Sequence, residues 1–425
     1  MEKLKIEGGF PLAGSLRVQG AKNAILPILA ASILNRGKTV LFDCPYISDV
    51  EISERILGEL GVKTRREGEQ FLVDSSTLSG FEISEDLMRE MRSSIVFLGA
   101  ILATMGRARL SMPGGCELGP RPIDLHLKAL RQMGVTVVEE HGFMDCRAEK
   151  LHGAKVYLDF PSVGATENIM LAAALAEGET IIANAAKEPE IVDLQDFLNS
   201  MGAEIAGAGG SVICIKGIKK LHDAEYRIMP DRIVAATYLA AACITKSEIE
   251  LTNVRSAHIE SILSVLSDMG SKLFIESTRV IHIPGKRIYS VGNVRTMPYP
   301  GFPTDAQSPF MAASTLAHGS SIFIENIFES RYKHVGELIR MGADITVDGS
   351  VAVVRGVDRL TGARVSAMDL RGGAALIVAA LAAEGTTEIT GVHYIDRGYE
   401  CIEERLSSLG AKITREEEAC PQKRV

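Results

Sequence analysis

An α/β fold of six like units arranged as two domains is predicted by three observations. A helix-ending glycine recurs at a near-constant interval, an almost wholly apolar Ala-rich helix stands upstream of each copy, and short β-prone runs lie on either side. The glycines sit in Leu60-Gly61-Val62, Met133-Gly134-Val135, Met201-Gly202-Ala203, Met269-Gly270-Ser271, Met341-Gly342-Ala343 and Leu409-Gly410-Ala411, at intervals of 68 to 73 residues. Glycine just past a helix end is the usual left-handed cap.

The apolar helices read as Ala21 to Leu34, Ser93 to Met105, Ala165 to Glu177, Arg232 to Ile244, Ser308 to His318 and Gly372 to Glu384. Helices apolar on every side belong in a core. Strands follow them, Thr39-Val40-Leu41-Phe42, Thr180-Ile181-Ile182, Ile249-Glu250-Leu251 and Ile322-Phe323-Ile324 being typical. An amphipathic helix such as Glu190 to Leu198 then leads to the glycine, and a short alternating run such as Ala411-Lys412-Ile413-Thr414 closes the unit. Six units of about 70 residues exceed one small core, so three units per domain is the economical packing.

Composition sets the outer limits. With 46% hydrophobic and 24% charged residues the 425-residue chain is ordinary globular protein. A net charge of −8 argues against a general nucleic-acid binder. The apolar runs fall short of the ~20 residues of a membrane span, and the first residues lack the apolar core of a secretory signal. Seven cysteines without a CxxC pair point to a reducing cytoplasm.

Polar residues gather where helices begin. Lys22-Asn23, Arg92, Ser162-Val163-Gly164-Ala165-Thr166, Asp231-Arg232, Thr304-Asp305-Ala306-Gln307 and Asp369-Leu370-Arg371 precede the buried helices. Arg121, Glu188, Glu190, Arg331 and Asp396-Arg397 precede the outer ones. Helix N-termini favour anions, so Lys22, Arg92, Arg121, Arg232, Arg331, Arg371 and Arg397 facing one gap between two lobes would grip phosphates. Taken singly, each is as well explained as a cap or a surface ion pair. Asp305 lies in a proline-stiffened loop and reads as a base toward a substrate hydroxyl or as a helix cap. His126 and His334 read as structural, and no Walker loop, dinucleotide fingerprint or metal-ligand spacing occurs.

Residues Pro113 to Pro122 hold three glycines and three prolines in ten positions, which excludes helix and central strand. This loop carries Cys116 and Arg121. A lone cysteine is most often a small buried apolar residue, whereas one beside fixed cations is a candidate reactive thiol. Cys214 and Cys243, in apolar runs, read as core cysteines by contrast.

Ala21-Lys22-Asn23-Ala24, Pro113-Gly114-Gly115-Cys116, Arg121-Pro122-Ile123-Asp124-Leu125-His126, Ser162 to Thr166, Pro303 to Gln307 and Asp396-Arg397-Gly398-Tyr399-Glu400 together resemble the enolpyruvyl transferase family, specifically its members acting on UDP-N-acetylglucosamine. The resemblance spans essentially the whole chain. It implies a two-domain inside-out α/β barrel of six β-α-β-α-β-β repeats, helices buried and sheets outside. One domain is 21–229; the other joins 1–20 to 230–425.

The implied substrates are phosphoenolpyruvate and UDP-N-acetylglucosamine, with no metal or organic cofactor. The sugar 3-hydroxyl attacks C2 of phosphoenolpyruvate, C3 gains a proton, and the tetrahedral intermediate expels phosphate to leave an enol ether, the first committed step of peptidoglycan synthesis. By the same resemblance Lys22, Arg121 and Arg397 hold the phosphate and carboxylate of phosphoenolpyruvate, with Arg92 and Arg371 nearby, and Arg331 also counts as substrate-binding. Asn23 and Asp305 grip the sugar, with Asp305 as base. Arg121, Pro122, Ile123, Asp124 and Leu125 form the uracil pocket, Ser162, Val163 and Gly164 cradle the diphosphate, and Ile327-Phe328 contact the nucleotide sugar. Cys116 serves as proton donor or in product release, and is the thiol alkylated by fosfomycin. Two positions depart from the family pattern: Phe160 stands where many members have a basic residue, and Glu117 follows the thiol, opposing thiolate formation. A sister enzyme acting on shikimate 3-phosphate shares the fold but needs neither the uracil pocket nor the cysteine loop. A silent UDP-sugar-binding paralogue would have no use for the set Lys22, Cys116, Asp305 and Arg397.

Overall fold

Each of the six helix-ending glycines adopts a positive φ, from 85° at Gly61 to 98° at Gly342. A side chain there would strain the backbone, so the recurrence of glycine has a steric cause. The computed structural model describes residues 2–111 and 123–417. The chain divides into two compact units, one running from Gly20 to Met229 and the other joining residues 2–19 to 230–417.

Among the described residues each unit holds three buried helices and three four-stranded sheets. In the first unit the buried helices are Lys22–Ala31, Phe97–Met105 and Val163–Ala173; in the second they are Arg232–Ile244, Thr304–Ser314 and Leu370–Ala382. Within each unit the three pack on one another. Every sheet has the same plan, seen in the order Lys155–Tyr157, Glu179–Ala183, Val212–Lys216, Glu204–Ala206. The first pair is parallel and bridged by a buried helix; the other two pairs are antiparallel. Three repeats run β-α-β-α-β-β without a break and the other three complete the same plan with a strand from elsewhere in the chain, helices at the centre of the unit and sheets around them: an inside-out α/β barrel.

Three strands are lent across the sequence. Ala224–Arg227 pairs in parallel with Lys38–Phe42 and completes the first sheet of its unit. Ala13–Arg17 does the same for Glu248–Thr252, and Glu2–Glu7 lies between Thr386–Thr390 and Lys412–Glu417. These pairings tie residues 2–19 into the second unit.

The third, fifth and sixth buried helices begin and end earlier than the apolar runs suggest, whereas the fourth keeps the expected bounds. Ser162 caps the third buried helix, its Oγ accepting from Ala165 N, and Asp369 caps the sixth through Arg371 N and Gly372 N. A polar cap starts a helix upstream of its first apolar residue. The second begins instead as a 3-10 turn, Arg92–Val96. Cys214 corrects its sequence reading: strand alternation turns Ile213 and Ile215 inward and leaves Cys214 exposed, whereas Cys243 is buried. Among the described residues no helix is long and apolar enough to cross a membrane.

Candidate active site

In the first unit, Lys22 opens the first buried helix and its Nζ lies 2.8 Å from Asp49 Oδ2. Both groups are buried, Asp49 completely. An ammonium so deep needs a counter-charge, and Asp49 in the first turn of the helix Ser48–Glu59 supplies it. Asn23 follows on the same turn, and Pro27 removes the N–H that would have paired with its carbonyl. Pro309 does the same for the Asp305 carbonyl in the other unit.

Arg92 heads its 3-10 turn, half-buried. Ile123 and Leu125 are half-buried and Asp124 exposed, at the start of the helix Asp124–Gln132. Ser162, Val163 and Gly164 form the first turn of the third buried helix, all partly open to solvent. Phe160 is exposed and brings no charge beside them; its carbonyl accepts from Ser162 N at 2.7 Å. Behind this turn Glu167 is buried, and burial together with Glu190 and Glu188 pushes its pKa well above the usual carboxylate range. Cys116, Arg121 and Pro122 lie outside the described residues.

The second unit brings three predicted residues together. Asp305, in the first turn of the fifth buried helix, receives Arg331 Nη2 on Oδ1 at 2.7 Å and Arg371 Nη2 on Oδ2 at 3.1 Å. Arg331 Nη2 also reaches the Thr304 carbonyl at 3.0 Å. Both arginines are 2% exposed. Burial alone would raise the Asp305 pKa, but the charges of Arg371 and Arg331 outweigh it and hold the carboxyl far below its ordinary value. Arg371 Nη1 donates to Tyr399 Oη at 3.2 Å, which in turn pairs with Thr237 Oγ1 at 2.8 Å.

Ile327 and Phe328 are placed by Glu325, whose Oε1 accepts from both backbone N–H groups at 2.8 and 3.0 Å. Glu325 Oε2 accepts from Thr304 Oγ1 at 3.0 Å, so this loop and the Asp305 turn share one carboxylate. Arg397 is half-buried in the turn after Val392–Ile395. Its neighbour Asp396 is turned onto Arg415 at 2.7 and 2.9 Å. Gln19 fixes that turn, donating to Gly398 O at 3.2 Å and accepting from Glu400 N at 2.9 Å.

Sequence reasoning missed Asp49, Gln19, Glu325 and Tyr399 as supports of the site. The signal for two of them was present: Gln19 stands three residues before Lys22 and Tyr399 two after Arg397. For Asp49 and Glu325 no local pattern separates a buried counter-charge from a helix-end acid.

The chain matches the family model described as EPSP synthase (3-phosphoshikimate 1-carboxyvinyltransferase) over residues 6–406. It is 52% identical to UDP-N-acetylglucosamine 1-carboxyvinyltransferase 2 of Caldanaerobacter subterraneus subsp. tengcongensis, across 98% of this chain and 100% of that one. It is 46% identical to UDP-N-acetylglucosamine 1-carboxyvinyltransferase of Geobacter metallireducens, across 98% and 100%. Among solved structures it resembles the enolpyruvyl transferase NikO from Streptomyces tendae, with a TM-score of 0.88 at 26% identity over 97% and 98% of the two chains. The EPSP synthase of Acinetobacter baumannii, at 19% identity and a TM-score of 0.73 over 98% and 100%, shares the fold.

Proposed function

The chain belongs to the enolpyruvyl transferase family, among the UDP-N-acetylglucosamine 1-carboxyvinyltransferases, and from that premise we propose how its residues divide the reaction. The enzyme transfers the enolpyruvyl group of phosphoenolpyruvate to the 3-hydroxyl of UDP-N-acetylglucosamine and releases phosphate, the entry step to peptidoglycan. The hydroxyl oxygen bonds to C2 while C3 gains a proton; the C2–O bond to phosphate then breaks and C3 loses a proton to give the enol ether.

Lys22, Arg121 and Arg397 are assigned to the anionic groups of phosphoenolpyruvate, with Arg92 and Arg371 close by. Lys22 is already paired with Asp49, so an arriving phosphate shares an ammonium whose burial is paid for by that carboxylate. Asn23 and Asp305 take the sugar, Ile123 to Leu125 the uracil, Ser162 to Gly164 the diphosphate, and Ile327-Phe328 the nucleotide sugar. The cap hydroxyl of Ser162 and the open first turn behind it suit a diphosphate without a basic residue at Phe160. Cys116 is assigned to proton delivery at C3 or to product release, and as the thiol that fosfomycin alkylates.

The observation that carries this reading is the double clamp on Asp305. With both guanidiniums in place the carboxylate is charged and oriented but a weak base. It accepts a hydrogen bond from the 3-hydroxyl, and takes up the proton only as Arg331 or Arg371 turns to the substrate's own anionic groups. The free thiols Cys44, Cys146, Cys214, Cys243 and Cys401 support a reducing, cytoplasmic setting for these steps. A phosphate-release assay offering both acceptors tests the assignment. Release with UDP-N-acetylglucosamine and not with shikimate 3-phosphate is expected; the reverse overturns it, and nucleotide binding with no release makes the chain a binding protein.

A further inference from the structure

Asn168, one turn into the third buried helix, is fully buried and bonded in three directions. Its Oδ1 accepts from Gly99 N at 2.7 Å; its Nδ2 donates to Ile95 O at 3.0 Å and to His126 Nδ1 at 2.9 Å. A fourth contact, to Gly164 O, is 3.4 Å. Because the Gly99 N–H can only donate, the amide atom facing it is the oxygen, and the orientation of Asn168 is fixed. The His126 Nδ1 that faces the amide nitrogen is then a bare acceptor, and the ring proton sits on Nε2. Burial holds this ring neutral, pushing its pKa down to about 4 against the pull of Asp124.

The fit leaves no slack. A Cβ on Gly99 would stand 2.2 Å from the Asn168 backbone oxygen and 3.1 Å from its Oδ1, and one on Gly164 would stand 3.1 Å from His126 Cε1. The segments joined are those to which binding is assigned. Ile95 lies in the turn that Arg92 opens, Ile123 to Leu125 run directly into His126, and Gly164 ends the Ser162–Gly164 turn. One amide thus sets the distance between the uracil and diphosphate segments, with the Arg92 turn as its base.

We propose that Asn168 and His126 are a positioning pair that holds the two nucleotide-binding segments in register, a reading that rests on the assignment of those segments above. Neither side chain need touch substrate. Misplacement of a binding segment by about 1 Å is enough to cost large factors in turnover or affinity, and a satisfied buried network is how such placement is kept.

Phosphate-release kinetics with both substrates varied, on wild type, Asn168→Ala, His126→Ala, the double variant and Gly164→Ala, tests the pair. Wild type separates the two readings: no release from it overturns the functional assignment, while release leaves the variants to report on the pair alone. Asn168→Ala is expected to raise the KM for UDP-N-acetylglucosamine about tenfold and that for phosphoenolpyruvate by less than about threefold. The double variant should cost less than the sum of the two single changes, since both remove the bond they share. Nitrogen-15 spectra of wild type should show His126 protonated on Nε2 and bare on Nδ1. Should Asn168→Ala not fold, His126→Ala and Gly164→Ala carry the test: loss of the shared bond, or a methyl pressed on the ring, should each raise the nucleotide KM and leave that for phosphoenolpyruvate nearly unchanged. Unchanged KM values in a folded variant, parallel rises in both, or a proton on Nδ1 would each overturn the pair.

Discussion

Arg371 Nη1 and Tyr399 Oη are joined at 3.2 Å, so the guanidinium that holds Asp305 on one side is itself held on the other. Tyr399 is 1% exposed and its hydroxyl also pairs with Thr237 Oγ1. Tyr399→Phe therefore strands a buried donor on Arg371 and leaves Thr237 without its tyrosine partner. The expected cost is about 1–3 kcal/mol, the usual penalty for buried polar groups left unpaired. Urea unfolding should show a lower midpoint with unchanged slope. Turnover should fall as well, because Arg371 loses one of its two fixed points.

The Asp305 clamp predicts a signed pH effect. Its folded pKa lies below that of the unfolded chain, ordinarily ~3.9. The stabilisation is then complete above the unfolded value and is lost as pH falls below it toward the folded one. Asp305→Asn should be less stable than wild type by a constant margin from neutral pH down to about 5, narrowing at more acid pH. Unfolding curves across that range check the sign; a margin that widens on acidification is the contrary result.

Glu167 predicts the opposite slope. Burial and the neighbouring Glu190 and Glu188 raise its folded pKa, so the native state holds a proton that the unfolded chain releases. Stability falls as pH rises from the unfolded value through the folded one. Glu167→Gln, which keeps the shape without the titration, should match wild type at acid pH and melt higher than it at pH 8. Melting temperatures at the two pH values decide it.

The sequence and the structure agree where a residue's role is local. Six glycines with positive φ were legible because only glycine suits the left-handed cap, and the six helices because a fully apolar surface has nowhere to go but a core. The lent strands Glu2–Glu7, Ala13–Arg17 and Ala224–Arg227 have no local signature in their residues, since pairing partners lie up to several hundred positions away. Asp305, Arg331 and Arg371 could be singled out one by one, each at a helix start. That they form a single clamp depends on how two repeats pack within one unit. Asn168 escaped notice because an amide inside an Ala-rich helix looks like any other helical polar residue.

Exposure of Cys214 sharpens the test of the reactive thiol. A general alkylator such as iodoacetamide should modify Cys214, which strand alternation presents to solvent. Fosfomycin needs more than access: its epoxide opens only where a thiol meets groups that hold the phosphonate, as assigned to the Cys116 loop and Lys22. Mass spectrometry of fosfomycin-treated protein should find one adduct on Cys116, lost in Cys116→Ser and kept in Cys214→Ser. Glu117 follows Cys116 in the sequence and a neighbouring carboxylate disfavours a thiolate, so labelling is expected to quicken as pH rises toward the ordinary thiol range near 8.5. An adduct on Cys214, or labelling that survives Cys116→Ser, would place the reactive thiol elsewhere.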